Sequence, residues 1–488
     1  MTTLLLLVPV LLPLLAAAGY ATIGWRAVTA WAGVATTVLI LADAAGLAVV
    51  VGRDGPVHTL GGLVRADALT VWLLLVIAAV AVLASWASPA YLAASGPAGS
   101  RRYGFLLHLF VAAMITAVLA GNLGVLWVAI EATTIVTAFL VGHHRTRTAL
   151  EAAWKYVVIC SSAIAIAFLG IVLLYYAARH AGLGAGQALD WAALSTHAHT
   201  LDPAVTRMAI GLAVLGFGAK AGLVPLHAWL PDAHSQAPAP VSALMSGVLL
   251  AVAFYAVLRF KVIADIALGP AYLRTLLVIL ALATLALAAV LLIAQRDYKR
   301  MLAYSSMEHM GLIALGAAIG SRLAIAAVLL HTAGHGLAKS VAFLGSGHLL
   351  RHHASTRIAD VRALAVRIPL LATTVGLAVL ALLGFPPAAV FASELGIARA
   401  GGAAGLGWVT AIGFALALLA FTAIATHTGR MLLGPAPRQP TPGQPAPVFT
   451  AASAAPLIAG LVAVAALGIT TGPLTALLRS AATIVGAP

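Results

Sequence analysis

Apolar stretches long enough to cross a bilayer recur along the whole sequence, near residues 4–23, 27–51, 66–87, 103–121, 122–141, 152–178, 205–230, 239–263, 271–294, 301–319, 322–350, 368–400, 405–432 and 452–478. They amount to about fourteen helices, each near the roughly 20 residues that a hydrocarbon core requires. Short polar connections separate them, which predicts an all-α polytopic membrane protein. The first stretch, "MTTLLLLVPVLLPLLAAAGY", has no basic residue ahead of its apolar run and reads as a spanning helix rather than a removed signal.

Two stretches are interrupted. The seventh contains "GLVPLHAWLP" and the twelfth "LLGFPPAAVFASEL", and in each a glycine is followed by proline within three residues. Backbone unwound at membrane depth is tolerated only where protein or water satisfies the freed groups, so both breaks are expected to line a cavity. Related breaks in two halves of a chain point to an ion path. The longest polar segments, 179–207 and "GPAPRQPTPGQPAP", read as interhelical loops.

Composition agrees with this pattern. Of 488 residues 62% are hydrophobic and only 8% charged, against about 25% charged in soluble domains. The single cysteine, Cys160, excludes an internal disulfide, a cysteine zinc cluster and an iron–sulfur site on this chain. The formal charge of +14 is spread singly through short loops, so it reads as a topology determinant and not as a nucleic-acid surface. The basic residues favour the loops after odd-numbered stretches, which places both termini outside the cytoplasm. No Gly-rich phosphate loop is present, and neither a nucleophile–base pair nor a metal triad marks a catalytic centre.

Against this background the intramembrane charges stand out, because one charge at the bilayer centre costs about 2.5–3.5 kcal/mol on insertion scales. Lys220 ends the run "MAIGLAVLGFGAK", and Glu131 lies within "LWVAIEATTIVTAFLV". Burial favours the neutral carboxyl, whereas a lysine within about 4–6 Å keeps it charged; a plain ion pair with Lys220 or Lys155 is the alternative reading. In "HTAGHGLAKSVAFLGSGHLLRHH" the spacing i, i+4, i+8 stacks His331, His335 and Lys339 on one face. Imidazoles that accept and donate protons near neutral pH make such a row suited to proton relay. The zinc alternative lacks the glutamate of a zinc-protease helix and a third ligand. Glu394 follows the second break, with Arg399 as the alternative ion-pair partner. In "RDYKRMLAYSSMEHMGLIALG" the basic run reads as surface, Lys299 as either surface or relay, and Ser305, Ser306, Glu308 and His309 as extensions of the row. His227 and His234, after the first break, are further auxiliary positions.

With these residues in hand, the sequence resembles the antiporter-like proton-conducting subunits shared by respiratory complex I, multisubunit Mrp-type cation/proton antiporters and membrane-bound nickel–iron hydrogenases. The segments "KAGLVPLHAWLPDAHSQAPAPVSALMSG" and "RDYKRMLAYSSMEHMG" carry the resemblance across nearly the whole chain, and "WVAIEATTIVTAFLVGHHRTRTALEAAWKYVVIC" is most similar to the F subunit of the hydrogenase-4 type. The resemblance implies two inverted five-helix repeats, 103–263 and 271–432, preceded by three helices in 1–102 and followed by a last helix and tail in 452–488. It implies that Glu131 and Lys220 are the paired glutamate and lysine, that His331, His335 and Lys339 are the polar row, and that Glu394 is the ionisable position of the twelfth helix. One departure stands out: complex I relatives usually carry a lysine in the eighth helix, where this chain has Ala251, so the expectation is either a link between half-channels through water, His227, His234 or another residue, or impaired pumping. The sequence after the fourteenth stretch is short, and the expectation is that the long lateral helix of the largest complex I relative is lacking.

The expected function is that of a proton-translocating subunit in a bacterial or archaeal cell membrane. The expected partners are other antiporter-like subunits and a peripheral redox arm, which alone would hold iron–sulfur clusters, a nickel–iron centre or quinone. A sodium/proton antiporter subunit, or one of an inorganic-carbon uptake system, is the rival reading.

Overall fold

The computed structural model describes residues 2–93, 96–435 and 449–486; most of the Pro-rich segment "GPAPRQPTPGQPAP" lies outside them. In chain order the helices are α1 (Thr2–Ile23), α2 (Ala27–Asp54), α3 (Ala68–Leu92), α4 (Pro97–Leu119), α5 (Leu123–Val141), α6 (Arg147–His180), α7 (Trp191–Thr196), α8 (Pro203–Lys220), α9 (Trp229–Gln236), α10 (Ala239–Leu244) and α11 (Leu250–Leu268). There follow α12 (Pro270–Ile293), α13 (Tyr298–Ile319), α14 (Arg322–His353), α15 (Leu364–Arg367), α16 (Pro369–Leu382), α17 (Ala389–Ala403), α18 (Gly407–Leu433), α19 (Ala451–Ile469) and α20 (Thr475–Val485). A π-helical turn, Met245–Leu249, joins α10 to α11, so that Ala239–Leu268 is one continuous helix. A short antiparallel hairpin, β1 (Val57–Thr59) and β2 (Val64–Ala66), precedes α3. The sequence pattern does not foretell it, because three-residue strands are too short to show alternation.

Among the described residues, ten helices are long and apolar enough to cross a membrane. The other four predicted crossings are α8, α13, α14 and the pair α16–α17, and each departs from that standard because it carries buried charge or a break. The fold is therefore a polytopic all-α membrane protein. Helices α13, α14 and α10–α11 are buried almost throughout, whereas α1, α2, α18 and α19 turn most of their surface outward. The outward faces are apolar, with Val28, Trp154 and Leu433 more than half exposed, as lipid contact demands.

Local chemistry sets the helix ends. Asp67 caps α3 through the Thr70 amide, Asn122 caps α5, and Asp297 caps α13 through the Arg300 amide. Both predicted breaks exist: α8 stops at Lys220 before Gly222 (φ 86°), and α16 stops at Leu382 before Gly384 (φ 67°). The segment 179–207 is mostly loop, with α7 inside it. At the centre α14 approaches the π turn so closely that a Cβ on Gly336 would lie 2.6 Å from the Gly247 carbonyl oxygen. Small residues permit such backbone contact where no hydrophobic force separates helix from lipid.

Where α3 begins and α4 ends, Arg259 and Asp67 form a buried fork. Nη1 and Nη2 each donate to a carboxylate oxygen at 2.8 Å, Nη2 also donates to Thr70 Oγ1 at 2.9 Å, and Nε donates to Tyr255 Oη at 2.9 Å. The Trp191 ring lies 4.0 Å beneath the guanidinium. Removing one member of a buried pair costs about 3–5 kcal/mol, more than removing both. Arg259→Met is thus expected to lower the melting temperature of the detergent-purified protein more than the double variant Asp67→Asn/Arg259→Met; equal losses would refute the pairing as a stability element.

Candidate functional site

Apart from the Arg259–Asp67 fork and the Lys261–Asp265 pair, the buried ionisable side chains of α8, α9, α13, α14 and α17 follow one another in a row. It starts at the first break. Lys220 is the last residue of α8, where unpaired helix carbonyls favour a cation, and its side chain is fully buried. Its ammonium donates to Tyr156 Oη at 2.6 Å and to Thr134 Oγ1 at 2.8 Å, and lies 4.5 Å from the Tyr156 ring centroid. Glu131 does not pair with it. The carboxylate accepts instead from Ser161 Oγ at 2.7 Å, and its second oxygen is buried without a partner. Thr134 lies one helical turn after Glu131, so the lysine's acceptor and the carboxylate share a face of α5.

The row continues through α9. Trp229 donates its indole N–H to the Ala219 carbonyl at 3.1 Å, which ties α9 back to the end of α8. Its ring lies 5.1 Å from Tyr156 and 5.9 Å from His234. His234 is fully buried, donates Nδ1–H to the Leu230 carbonyl at 2.8 Å, and leaves Nε2 unpartnered. It stands within electrostatic range of Lys339 and Lys299.

The second half of the row has Lys339 at its start. This lysine is fully buried and donates to the Leu302 carbonyl at 2.8 Å and to Ser305 Oγ. His331 and His335 lie on the same face of α14, their rings 6.5 Å apart, with His309 of α13 lying 5.2 and 4.9 Å from them. The hydrogens can be assigned. Ser393 Oγ sits 2.7 Å from the Val390 carbonyl, a contact that requires the hydroxyl to donate. His331 Nδ1, 2.9 Å from that hydroxyl, must then carry a proton and donate to it. His331 Nε2, neutral, accepts from His309 Nδ1–H at 3.1 Å. The remaining lone pair, on His309 Nε2, faces Glu308 Oε2 at 3.6 Å, and neither atom has another partner. At 3.6 Å the two are too far apart for a direct hydrogen bond, and both atoms are buried without one. Glu308 is in electrostatic range of Glu394 and Lys339. Glu394 makes no pair with the exposed Arg399; one of its oxygens is buried and unpartnered, and Gly384 of the second break leaves room for the other, which a Cβ there would meet at 2.3 Å.

Some predicted members lie elsewhere. Lys155 is at the surface, bonded to Glu151 at 2.6 Å and Asp232 at 3.1 Å, so it is no partner for Glu131. His227 is half-buried at the rim, against the Pro225 carbonyl at 3.1 Å. Lys299, by contrast, is not a surface residue: it is buried and donates to the Ala237 carbonyl at 3.1 Å. Thr134, Tyr156, Ser161 and Ser393 went unnoticed in the sequence because hydroxyls are common in membrane helices. Two of them were findable: Thr134 by its spacing from Glu131, and Ser393 by its place beside Glu394.

Comparison with known proteins settles the lineage. The family model described as NADH:quinone oxidoreductase/Mrp antiporter, TM matches residues 120–420. The chain belongs to this family. It is 40% identical over 301 residues to a hydrogenase-4 component F homolog of Methylacidiphilum infernorum, covering 61% of this chain and 63% of that one. It is 33% identical to NADH-quinone oxidoreductase subunit N 2 of Roseiflexus castenholzii, covering 74% of each. The chain spans between 49% and 63% of the length of the first curated relatives it matches. Among solved structures, a chain of the membrane-bound sulfane sulfur reductase, an archaeal respiratory membrane complex, superposes with a TM-score of 0.87 at 24% identity over 99% of this chain and 97% of that one, a likeness of fold.

The hydrogen assignment makes a prediction. At neutral pH, ¹⁵N-histidine spectra of the protein should give His309 and His331 as neutral Nδ1–H tautomers, and Ser393→Ala should perturb His331 and destabilise the fold by about 1–3 kcal/mol, the cost of an orphaned buried donor. An Nε2–H tautomer at His331 would refute the assignment.

Proposed function

We propose that the chain is the proton-translocating, antiporter-like membrane subunit of a redox-driven complex of the hydrogenase-4 or NADH:quinone oxidoreductase kind, seated in a bacterial or archaeal cell membrane. The observation that carries this reading is that both central lysines, Lys220 and Lys339, are buried against neutral oxygens and not against carboxylates. An ammonium held this way can surrender its proton without leaving a buried carboxylate stranded. On this reading the approach of Glu131 favours the ammonium, and its turn toward Ser161, whose hydroxyl donates to it here at 2.7 Å, weakens that hold. His234 then stands between the two lysines, and Glu308, His309 and His331 carry the path on toward Glu394.

Imidazole lone pairs and ammonium groups suit protons, whereas Na⁺ would seek a cage of oxygens. Moving each charge across the membrane field involves about 2.3 kcal/mol per 100 mV. On this reading that energy comes from partner subunits carrying iron–sulfur clusters, a nickel–iron centre or quinone. The two inverted repeats expected for 103–263 and 271–432 would place one break and one lysine in each half.

The native complex, purified in mild detergent, is expected to contain redox subunits identifiable by mass spectrometry. In proteoliposomes Lys220→Ala and Lys339→Ala are each expected to cut coupled proton uptake by about a hundredfold, the scale on which a lost proton-transfer group acts. Unchanged uptake would refute the lysine roles. Recovery of small antiporter subunits alone would overturn the redox coupling in favour of a secondary antiporter.

A further inference from the structure

Away from the buried row, the end of the bundle where α1, α3 and α5 finish carries arginines without counter-charge. Arg26, Arg101, Arg102, Arg145 and Arg147 lie in or beside the three turns there, and none takes part in an ion pair formed among the described residues. Glu151, the acidic residue closest in sequence to Arg147, is already bonded to Lys155.

Two cavities open among these arginines. One, of about 580 Å³, lies between the α1–α2 turn and α4 and is lined by Trp25, Arg26, Arg101 and Arg102. The other, of about 560 Å³, lies between α5 and α6 and is lined by Arg102 and Arg145 above and by Ile135, Phe139, Trp154 and Val157 below. Arg102 belongs to both. Its Nη2 donates to the Phe139 carbonyl at 3.4 Å and its guanidinium lies 5.7 Å from the Phe139 ring; Arg101 donates to the Ala21 carbonyl. Each guanidinium has five N–H donors, so most remain free. From the end of α5 at Val141 down to Ile135 the second cavity follows the helix for six residues, about 9 Å at the helical rise, with Arg145 in the turn above it. Ile135, Phe139 and Trp154 are more than half exposed on this apolar wall, on the membrane-facing surface.

We propose that the two cavities together bind one anionic phospholipid carrying two phosphates, one in each cavity, with Arg102 between them and an acyl chain along the α5–α6 slot. Planar guanidiniums match phosphate oxygens in pairs. Basic pockets between spanning helices on the positively charged side are suited to such head groups, and tryptophan favours the head-group level. The slot favours lipid over an acidic protein partner, because it leads from the arginines into an apolar channel along the helices with no polar group to meet a protein backbone.

The purified full-length chain is titrated with tetraoleoyl cardiolipin, dioleoylphosphatidylglycerol, dioleoylphosphatidylcholine and inorganic phosphate, with bound copies read by native mass spectrometry. One cardiolipin is expected to survive delipidation, with phosphatidylglycerol weaker and phosphatidylcholine and phosphate not retained. Arg102→Gln is expected to weaken cardiolipin about fivefold, Arg26→Gln and Arg145→Gln less so, and Arg207→Gln, at the opposite end, not at all. Equal retention of phosphatidylcholine, or cardiolipin binding unchanged in Arg102→Gln, would overturn the site. Should the Arg102 variant not fold, a photocrosslinker at Trp154 in the native complex decides: lipid adducts support the site, and adducts only to a protein subunit refute it.

Discussion

A lysine ammonium sealed inside the membrane has to be held by something, and here it is held by two hydroxyl oxygens. Much of the architecture around the first break follows from that constraint. Helix α8 stops at Lys220, so its free carbonyls help to accommodate the charge. Trp229 anchors the next helix to α8 and walls the ammonium from one side, while α5 and α6 bring Thr134 and Tyr156 from the other. The second half repeats the scheme with different means. Lys339 lies mid-helix, and the backbone of α13 supplies a carbonyl while Ser305 supplies a hydroxyl.

The molecule treats its other buried charge in the opposite way. Arg259 and Asp67 are locked by two parallel hydrogen bonds at 2.8 Å, with Thr70, Tyr255 and Trp191 enclosing them. That fork satisfies both ions and ties α11 to the start of α3, and nothing in it can let go cheaply. The two lysines have no such counter-ion. On the proposed reading this contrast sets a pair that holds the bundle against two lysines that exchange protons.

Much of this was legible in the sequence. Hydrophobic runs located the crossings, glycine–proline pairs located both breaks, and the i, i+4, i+8 spacing put His331, His335 and Lys339 on one face, because each of these signals is local to a single helix. Partner choice is not local. Glu131 and Lys220 are separated by 89 positions, and whether they touch depends on how α5, α6 and α8 pack, which brings Tyr156 and Thr134 to the lysine instead. Lys155 looked like a membrane charge because its helix is long and apolar; it lies near the start of α6, where surface carboxylates reach it. Arg259 and Asp67 come from helices 192 residues apart and left no pattern to read.

The departure at Ala251 bears on how the two halves communicate. A lysine in place of the buried Ala251 would add another ammonium to an interior where Lys220, Lys339 and Lys299 already lie with no carboxylate bonded to any of them. Alanine avoids that repulsion and, on the proposed reading, leaves the link to other groups. The polar atoms nearby are of another kind: the π turn brings Ser246 to 2.7 Å from Ser306, and α9 presents the free Nε2 of His234. An imidazole neutral at rest adds no standing charge, yet accepts a proton when one is offered. Between Lys339 and Glu394, α13 and α14 likewise place three buried histidines, His309, His331 and His335, and one carboxyl, Glu308. On the proposed reading these imidazoles, unlike the two lysines, carry charge only while a proton is passing.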